Sequence, residues 1–91
     1  WASLFMERFG GDHQWSFDFP NDPNGHSWVK LGNKFYDAEM INGTTELTNL
    51  PFFQRFIKKY GTGWLDNEFY TNIQKTKYDA SGIDTPGDPT M

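Results

Sequence analysis

The sequence predicts an α+β fold in which a short N-terminal helix, a three- or four-stranded antiparallel meander and two C-terminal helices form one domain. Residues 51–60 carry apolar side chains at helical spacing, and residues 15–19 alternate aromatic with polar side chains. No connection is long enough to join parallel strands, so the strands must be antiparallel. We expect the domain to cover residues 1–78 and an extended tail to cover residues 79–91.

The first helix is predicted from an aromatic stripe at the start of the sequence. Trp1, Phe5 and Phe9 are four residues apart, and Gly10-Gly11 follows as a stop signal. A helix of about nine residues is too short to be stable alone in water. We therefore expect it to pack against the rest of the domain.

The strands are predicted from alternation and from the turn residues between them. Trp15–Phe19 alternates aromatic with polar side chains and predicts the first strand. The prolines, asparagines and glycine of residues 20–25 predict a turn. The later strands and turns are predicted at 26–31, at Gly32-Asn33, at 34–41, at Asn42-Gly43 and at 44–47.

The second helix is predicted between Asn49, as its cap, and Gly61, as its stop. Pro51 is placed in the first turn, where its missing N–H group costs nothing. Arg55, Lys58 and Lys59 lie on one side of this helix. The other side is broad and apolar, and it is formed by Phe52, Phe53, Phe56, Ile57 and Tyr60.

A third helix is predicted over residues 66–75. Leu65, Phe69 and Ile73 are four residues apart, and Asp66 or Asn67 can cap the helix. After Tyr78 the sequence is rich in Gly, Pro and Asp and shows no periodicity. Such a tail cannot order itself, so we expect it to become ordered against another surface.

The composition is dominated by aromatic residues. Nine Phe, four Trp and four Tyr stand against ten Leu, Ile and Val combined. Since a small domain leaves much of its surface exposed, it cannot bury every ring. We assign the predicted core to Phe17, Phe19, Phe52, Phe53, Phe56 and Phe69.

The remaining rings predict a partner-binding surface, because their N–H and O–H groups favour an acceptor in water or in a partner. Trp28 and Tyr36 lie on neighbouring predicted strands and are expected to form one ridge. The complete set of predicted binding residues is Trp1, Trp28, Tyr36, Tyr60, Trp64 and Tyr70, together with Ile83 of the tail.

Charge and hydropathy argue against several classes of protein. The net charge of −4 argues against general nucleic-acid binding. No stretch approaches the roughly 18 apolar residues that span a bilayer. Peripheral association with a membrane complex stays open, because Arg55, Lys58 and Lys59 form a basic face. Since the sequence begins with Trp1, we expect an upstream segment to have been removed, and both an organelle and the extracellular space stay open. Asn42-Gly43-Thr44 fits the glycosylation sequon, but such triplets often arise by chance and do not decide between the two.

Residues that could support catalysis or metal binding are few and poorly spaced. The absence of cysteine excludes thiolate metal sites and disulfides. His13 and His26, with Asp12, Asp18 and Asp22, form the one candidate metal group, but their spacing matches no metal motif. Ser27 follows His26 directly, and neighbouring strand residues point to opposite faces, so they cannot pair. We expect no cofactor and no catalytic activity.

Three functions follow from these patterns, in order of preference. The first is a non-catalytic structural or accessory subunit that docks onto a larger protein assembly through exposed aromatic residues and its termini. The second is a small secreted module that binds carbohydrate. The third is a small hydrolase that uses His13 or His26 with a nearby Asp. The residues considered for sugar binding are Trp15, Trp28, Tyr36 and Trp64.

Overall fold

The computed structural model describes residues 1–78 and 84–85, and it has the α+β fold that the sequence predicts. The helices are α1 (Ala2–Phe9), α2 (Pro51–Tyr60) and α3 (Asn67–Thr71), and a 3-10 turn covers Leu47–Asn49. The strands are β1 (Asp12–Ser16), β2 (His26–Leu31), β3 (Lys34–Asp37), β4 (Met40–Thr44), β5 (Gln74–Tyr78) and β6 (Asp84–Thr85). Most of the predicted tail, including Ile83, lies outside the described residues.

The sheet is antiparallel and has the strand order β4-β3-β2-β1-β5-β6. Its first four strands form the predicted meander, while β5 and β6 extend the sheet beyond β1. The helix predicted over 66–75 is therefore wrong beyond Thr71. Asn72 ends α3, and Gln74 pairs with Trp15 on β1. The free edge of β1 supplies hydrogen-bonding partners that a helix at residues 74 and 75 would leave unused.

The first strand lies earlier in the chain than predicted. It ends at Ser16, whose Oγ accepts a hydrogen bond of 3.1 Å from the N–H of Asp18. Phe19 consequently leaves the sheet and forms an isolated bridge with Asp22. Phe19 is buried in the core, whereas Phe17 is 59% exposed. The assignment of Phe17 to the core is thus wrong.

The strand predicted over 34–41 is two strands joined by a turn at residues 38–39. Oδ1 of Asp37 accepts a hydrogen bond of 2.9 Å from the N–H of Glu39 and stabilises this turn. Asn42-Gly43 lies within β4, where the pairing with β3 is irregular, so the turn predicted there is wrong. Gly43 has φ 78°, and a Cβ on it would lie 2.7 Å from Cζ of Tyr36. The glycine therefore allows the Tyr36 ring to lie against β4.

The second helix, α2, has the predicted bounds. It begins at Pro51, and Gly61 ends it with φ 77°. Leu50 rather than Asn49 occupies the N-cap position. The side-chain amide of Asn49 instead donates a hydrogen bond of 3.3 Å to Oγ1 of Thr44. This bond ties the turn before α2 to the end of β4.

The core lies between one face of the sheet and the helices α2 and α3. Trp28 is 0% exposed within it, so the prediction of Trp28 as a surface residue is wrong. The predicted ridge of Trp28 and Tyr36 is also wrong. Tyr36 pairs with Val29, which places Tyr36 and Trp28 on opposite faces of the sheet. The buried core residues are Phe19, Trp28, Leu47, Leu50, Phe53 and Phe69.

The opposite face of the sheet is partly covered by α1. Met6 of α1 and Val29 of β2 are both buried, and α1 contacts β1 and β2. The Phe5 and Tyr36 rings lie 4.9 Å apart between centroids. The short first helix therefore packs on the domain, as its length requires.

Candidate functional site

The outer side of α1 and the neighbouring strand β4 form an apolar groove, which we call the α1–β4 groove. Leu4 is 68% exposed, Phe9 61% and Trp1 46%, and Ile41 of β4 is 65% exposed. These four side chains line one cleft together with Phe5, Glu7 and Arg8. The groove thus presents apolar side chains together with one acidic and one basic residue.

The rings of the groove form a continuous row along α1. The Trp1 and Phe5 centroids are 5.2 Å apart, and the Phe5 and Phe9 centroids are 5.0 Å apart. Residues four apart lie on one side of a helix, which explains the row. Phe5 also contacts Tyr36, so the row is fixed to the sheet beneath it.

Strand β4 is an edge of the described sheet, and it flanks the groove. An edge strand presents backbone N–H and C=O groups that can pair with another chain. Natural edges are commonly protected by charged residues or by proline. Met40–Thr44 contains neither. Along its outer side β4 therefore offers hydrogen-bonding groups beside the apolar side chains.

A second cluster lies at the junction of β2, β3 and α2. The Nε2–H of His26 donates a hydrogen bond of 2.8 Å to Oδ2 of Asp37, and Asp37 is buried. The His26 ring stacks on Phe52 with centroids 4.1 Å apart and planes 7° apart. Ser27, the neighbouring hydroxyl, points to the other face of β2. The cluster thus joins the sheet to α2. The Ser27 hydroxyl does not lie beside the His26 imidazole.

An exposed ion pair extends this cluster. Arg55 donates two hydrogen bonds to the Glu39 carboxylate, of 2.9 and 3.0 Å. These bonds, and next the positive charge of Arg55, hold the pKa of Glu39 below its ordinary value. The Arg55 guanidinium also lies 5.5 Å from the centroid of the Phe52 ring. The β3–β4 turn is thereby fixed to α2.

The side chains of the two histidines proposed as a metal or catalytic group point to opposite faces of the sheet. His13 pairs with Val29 and lies on the face that α1 partly covers. His26 lies on the core face, where it binds Asp37. Within residues 1–78 and 84–85, no three His, Cys, Asp or Glu side chains are placed to hold a metal ion.

The predicted binding residues do not form one surface. Trp1 and Tyr70 are exposed, and Tyr60 is at the border of exposure, where its hydroxyl accepts a hydrogen bond from Asn21. Trp64 is part-buried, and its Nε1–H donates a hydrogen bond of 2.8 Å to the carbonyl of Gly61. Tyr36 is part-buried against Phe5. Of the described members of this set, only Trp1 lines the α1–β4 groove.

Sequence reasoning missed Leu4, Phe9 and Ile41 as groove residues. A signal for the first two was present, because α1 has apolar side chains around most of its circumference. A short helix that buries only one face then leaves apolar residues on the other. No comparable signal existed for Ile41, since its exposure depends on β4 being an edge strand.

Comparison with known proteins gives no relative that bears on this site. No family model, curated protein or solved structure matches the chain. Among the described residues, the helices are too short and too polar to cross a membrane. The functional argument therefore depends on the geometry and chemistry of the surfaces described above.

Proposed function

We propose that the protein is a non-catalytic accessory subunit that docks onto a larger protein assembly through the α1–β4 groove. The observation that carries this proposal is the convergence of Trp1, Leu4, Phe9 and Ile41. Seven large apolar side chains are exposed in the described part of the chain, and these four lie in one cleft. Contiguous exposed apolar patches mark interaction surfaces more often than scattered apolar residues do.

The energetics favour a partner that uses the backbone of β4 as well as the groove side chains. Burying the exposed parts of the four side chains contributes on the order of 5 kcal/mol, since a large apolar side chain contributes about 1.5–3 kcal/mol when fully buried. Association itself costs at least about 4 kcal/mol in lost freedom. Side-chain burial alone therefore gives weak binding, and hydrogen bonds along β4 would supply the additional affinity.

The partner segment that fits this surface is an extended, apolar stretch of another protein. It would pair with β4 and direct alternate side chains toward Leu4 and Ile41. Glu7 and Arg8 carry opposite charges, so the groove gives no preference to a strongly charged segment. Pairing would also cover this edge of the sheet, which carries no charged residue or proline.

The test compares the wild-type chain with Leu4→Asp and Ile41→Asp. Each variant places a charge in the groove without changing a buried residue. Partners are captured from the native source by photocrosslinking at residue 9, identified, and purified for calorimetric titration. We expect both variants to weaken binding at least about ten-fold. Tyr70→Asp is the matched control, because Tyr70 is an exposed apolar residue outside the groove.

Hydrogen exchange of the reconstituted complex locates the contact independently of the variants. The amides of Met40–Thr44 should exchange more slowly when the partner is bound. A complex that forms equally well with Leu4→Asp and Ile41→Asp, or one that protects no amide of β4, contradicts the proposal. Self-association that is lost in both variants identifies a second copy as the occupant and also contradicts docking to another protein.

A further inference from the structure

The sheet face that α1 partly covers carries a second aromatic surface, in which His13 and Trp15 are part-buried. His13 and Trp15 alternate along β1, and their ring centroids are 5.1 Å apart. Phe17 continues this alternation just beyond the strand and is 59% exposed. All three line one cleft, which is also lined by Asn24, His26 and Ser27. We call His13, Trp15 and Phe17 the β1 ring row.

The ring row is held in place by the loop that follows it. Gly25 has φ 69°, and a Cβ on it would lie 2.8 Å from Cδ1 of Phe17. The Phe17 ring therefore rests on backbone that only glycine leaves open. Oδ1 of Asp22 accepts a hydrogen bond of 2.9 Å from the N–H of Asn24, which organises the same loop. A surface that is ordered before binding loses little entropy when a ligand arrives.

The charge of this cleft limits the class of ligand. Among the described residues, its lining contains no Lys, Arg, Asp or Glu. Nucleic-acid bases also stack on exposed rings, but their phosphates are bound mainly by Lys and Arg, which the described lining does not contain. Asn24 and Ser27 offer neutral hydrogen-bonding groups beside the rings. Aromatic faces combined with a few neutral polar groups suit an uncharged ligand that has both apolar C–H faces and hydroxyl groups.

We propose that the β1 ring row binds an uncharged, straight oligosaccharide of β-1,4-linked glucose type. Equatorial hydroxyl groups leave the C–H bonds of such a sugar ring facing outward on its two flat sides. These C–H groups pack on the negative faces of aromatic rings. His13 and Trp15 lie on the extended strand β1, which advances about 3.3 Å per residue, and Phe17 lies one residue beyond its end. A straight chain of sugar rings can therefore contact Trp15 and Phe17 together.

This site is separate from the α1–β4 groove, so the two proposals succeed or fail independently. Within the part of the chain that the structure describes, no residue lines both the ring-row cleft and the groove. Phe9 and Phe17 have nearly equal exposure, 61% and 59%, and they lie on the two different surfaces. Phe9→Ala is consequently a matched control for Phe17→Ala.

The test is calorimetric titration of the wild-type chain with cellohexaose, together with NMR titration of the Trp15 indole signal. We expect saturable binding that shifts the Trp15 signal and leaves the Trp28 signal in place. Trp15→Ala and Phe17→Ala should each weaken binding about ten-fold or more, whereas Phe9→Ala should not change it. Circular dichroism of each variant establishes that it is folded.

Two further sugars test the ligand class. Maltohexaose has a coiled α-linked chain and should bind more weakly than cellohexaose, because it cannot lie flat along the row. Oligogalacturonate carries carboxylates and should also bind more weakly. The proposal is overturned if cellohexaose does not bind, if maltohexaose binds equally well, or if binding persists unchanged in both Trp15→Ala and Phe17→Ala. The NMR titration uses the wild-type chain, so it decides the site even if a variant fails to fold.

Discussion

The indole Nε1–H of Trp28 donates a hydrogen bond of 2.9 Å to Oε1 of Gln14, and both side chains are buried. Gln14 lies on β1 directly opposite Trp28 on β2. A buried N–H group without an acceptor would cost free energy that the burial of the ring would have to offset. The glutamine removes this cost and allows the large ring to occupy the core.

Gln14→Leu tests this relationship. We expect the free energy of unfolding to fall by about 1–3 kcal/mol, because the indole N–H is left buried without an acceptor. Urea denaturation followed by circular dichroism measures the loss. Gln74→Leu is the control, since Gln74 is an exposed glutamine on the neighbouring strand. In the double variant Gln14→Leu, Trp28→Phe the losses should be less than additive, and strict additivity would show that the two residues are not coupled.

Phe19 and Phe17 should differ sharply in their contribution to stability, although they are two residues apart. The Phe19 ring lies 4.9–5.6 Å from five other rings, which are those of Phe52, Phe53, Phe56, Trp64 and Phe69. Phe19→Ala should reduce the free energy of unfolding by about 3–5 kcal/mol. Phe17→Ala should change it by less than about 0.5 kcal/mol. Equal losses in denaturant melts of the two variants would contradict the position of β1.

The segments that sequence predicted well are those in which local signals agree. In α2 the helical spacing, Pro51 and Gly61 all specify the same bounds, and the structure has them. The strand β2 is also found where its turn residues place it. Where all local signals favour the same secondary structure, tertiary contacts have few alternative conformations to select from.

The segments that sequence missed depend on partners distant in the chain. Gln74–Tyr78 contains Gln, Lys and Thr, without the apolar alternation that marks a half-buried strand. Its conformation comes from pairing with β1, about sixty residues earlier. The burial of Trp28 likewise depends on Gln14. For the α1–β4 groove, only the strand order reveals that Ile41 lies at an edge beside α1.

Gly25→Ala should be markedly more destabilising than Gly32→Ala. Both glycines have positive φ, 69° and 62° respectively, so either substitution costs roughly 1 kcal/mol through backbone strain. A Cβ at Gly25 would also overlap the carbonyl oxygen of Ser16 and approach Phe17, whereas a Cβ at Gly32 meets nothing within 4 Å. We therefore expect Gly25→Ala to cost at least about 1 kcal/mol more than Gly32→Ala, as measured by thermal unfolding. Equal costs would show that the loop relaxes and that Phe17 is not held by close packing.

The Glu39–Arg55 pair should give a small stability contribution that depends on pH. The hydrogen bonds from Arg55, and next its charge, lower the pKa of Glu39 from its ordinary value of 4.5. A carboxyl group whose pKa is lower in the folded state stabilises the protein above its unfolded pKa. The contribution is lost as the pH falls through the folded pKa. The effect is expected to be modest because both side chains are about half exposed.

Glu39→Gln checks this dependence. At pH 7 the variant should unfold at a slightly lower temperature than the wild type, and the difference should shrink as the pH falls below the ordinary value of 4.5. Added salt at neutral pH should also reduce the difference, because exposed ion pairs are screened. Glu46→Gln serves as the control, since Glu46 is exposed and forms no ion pair among the described side chains. A stability difference that is constant between pH 7 and about pH 3 would mean that Glu39 acts through packing rather than through its charge.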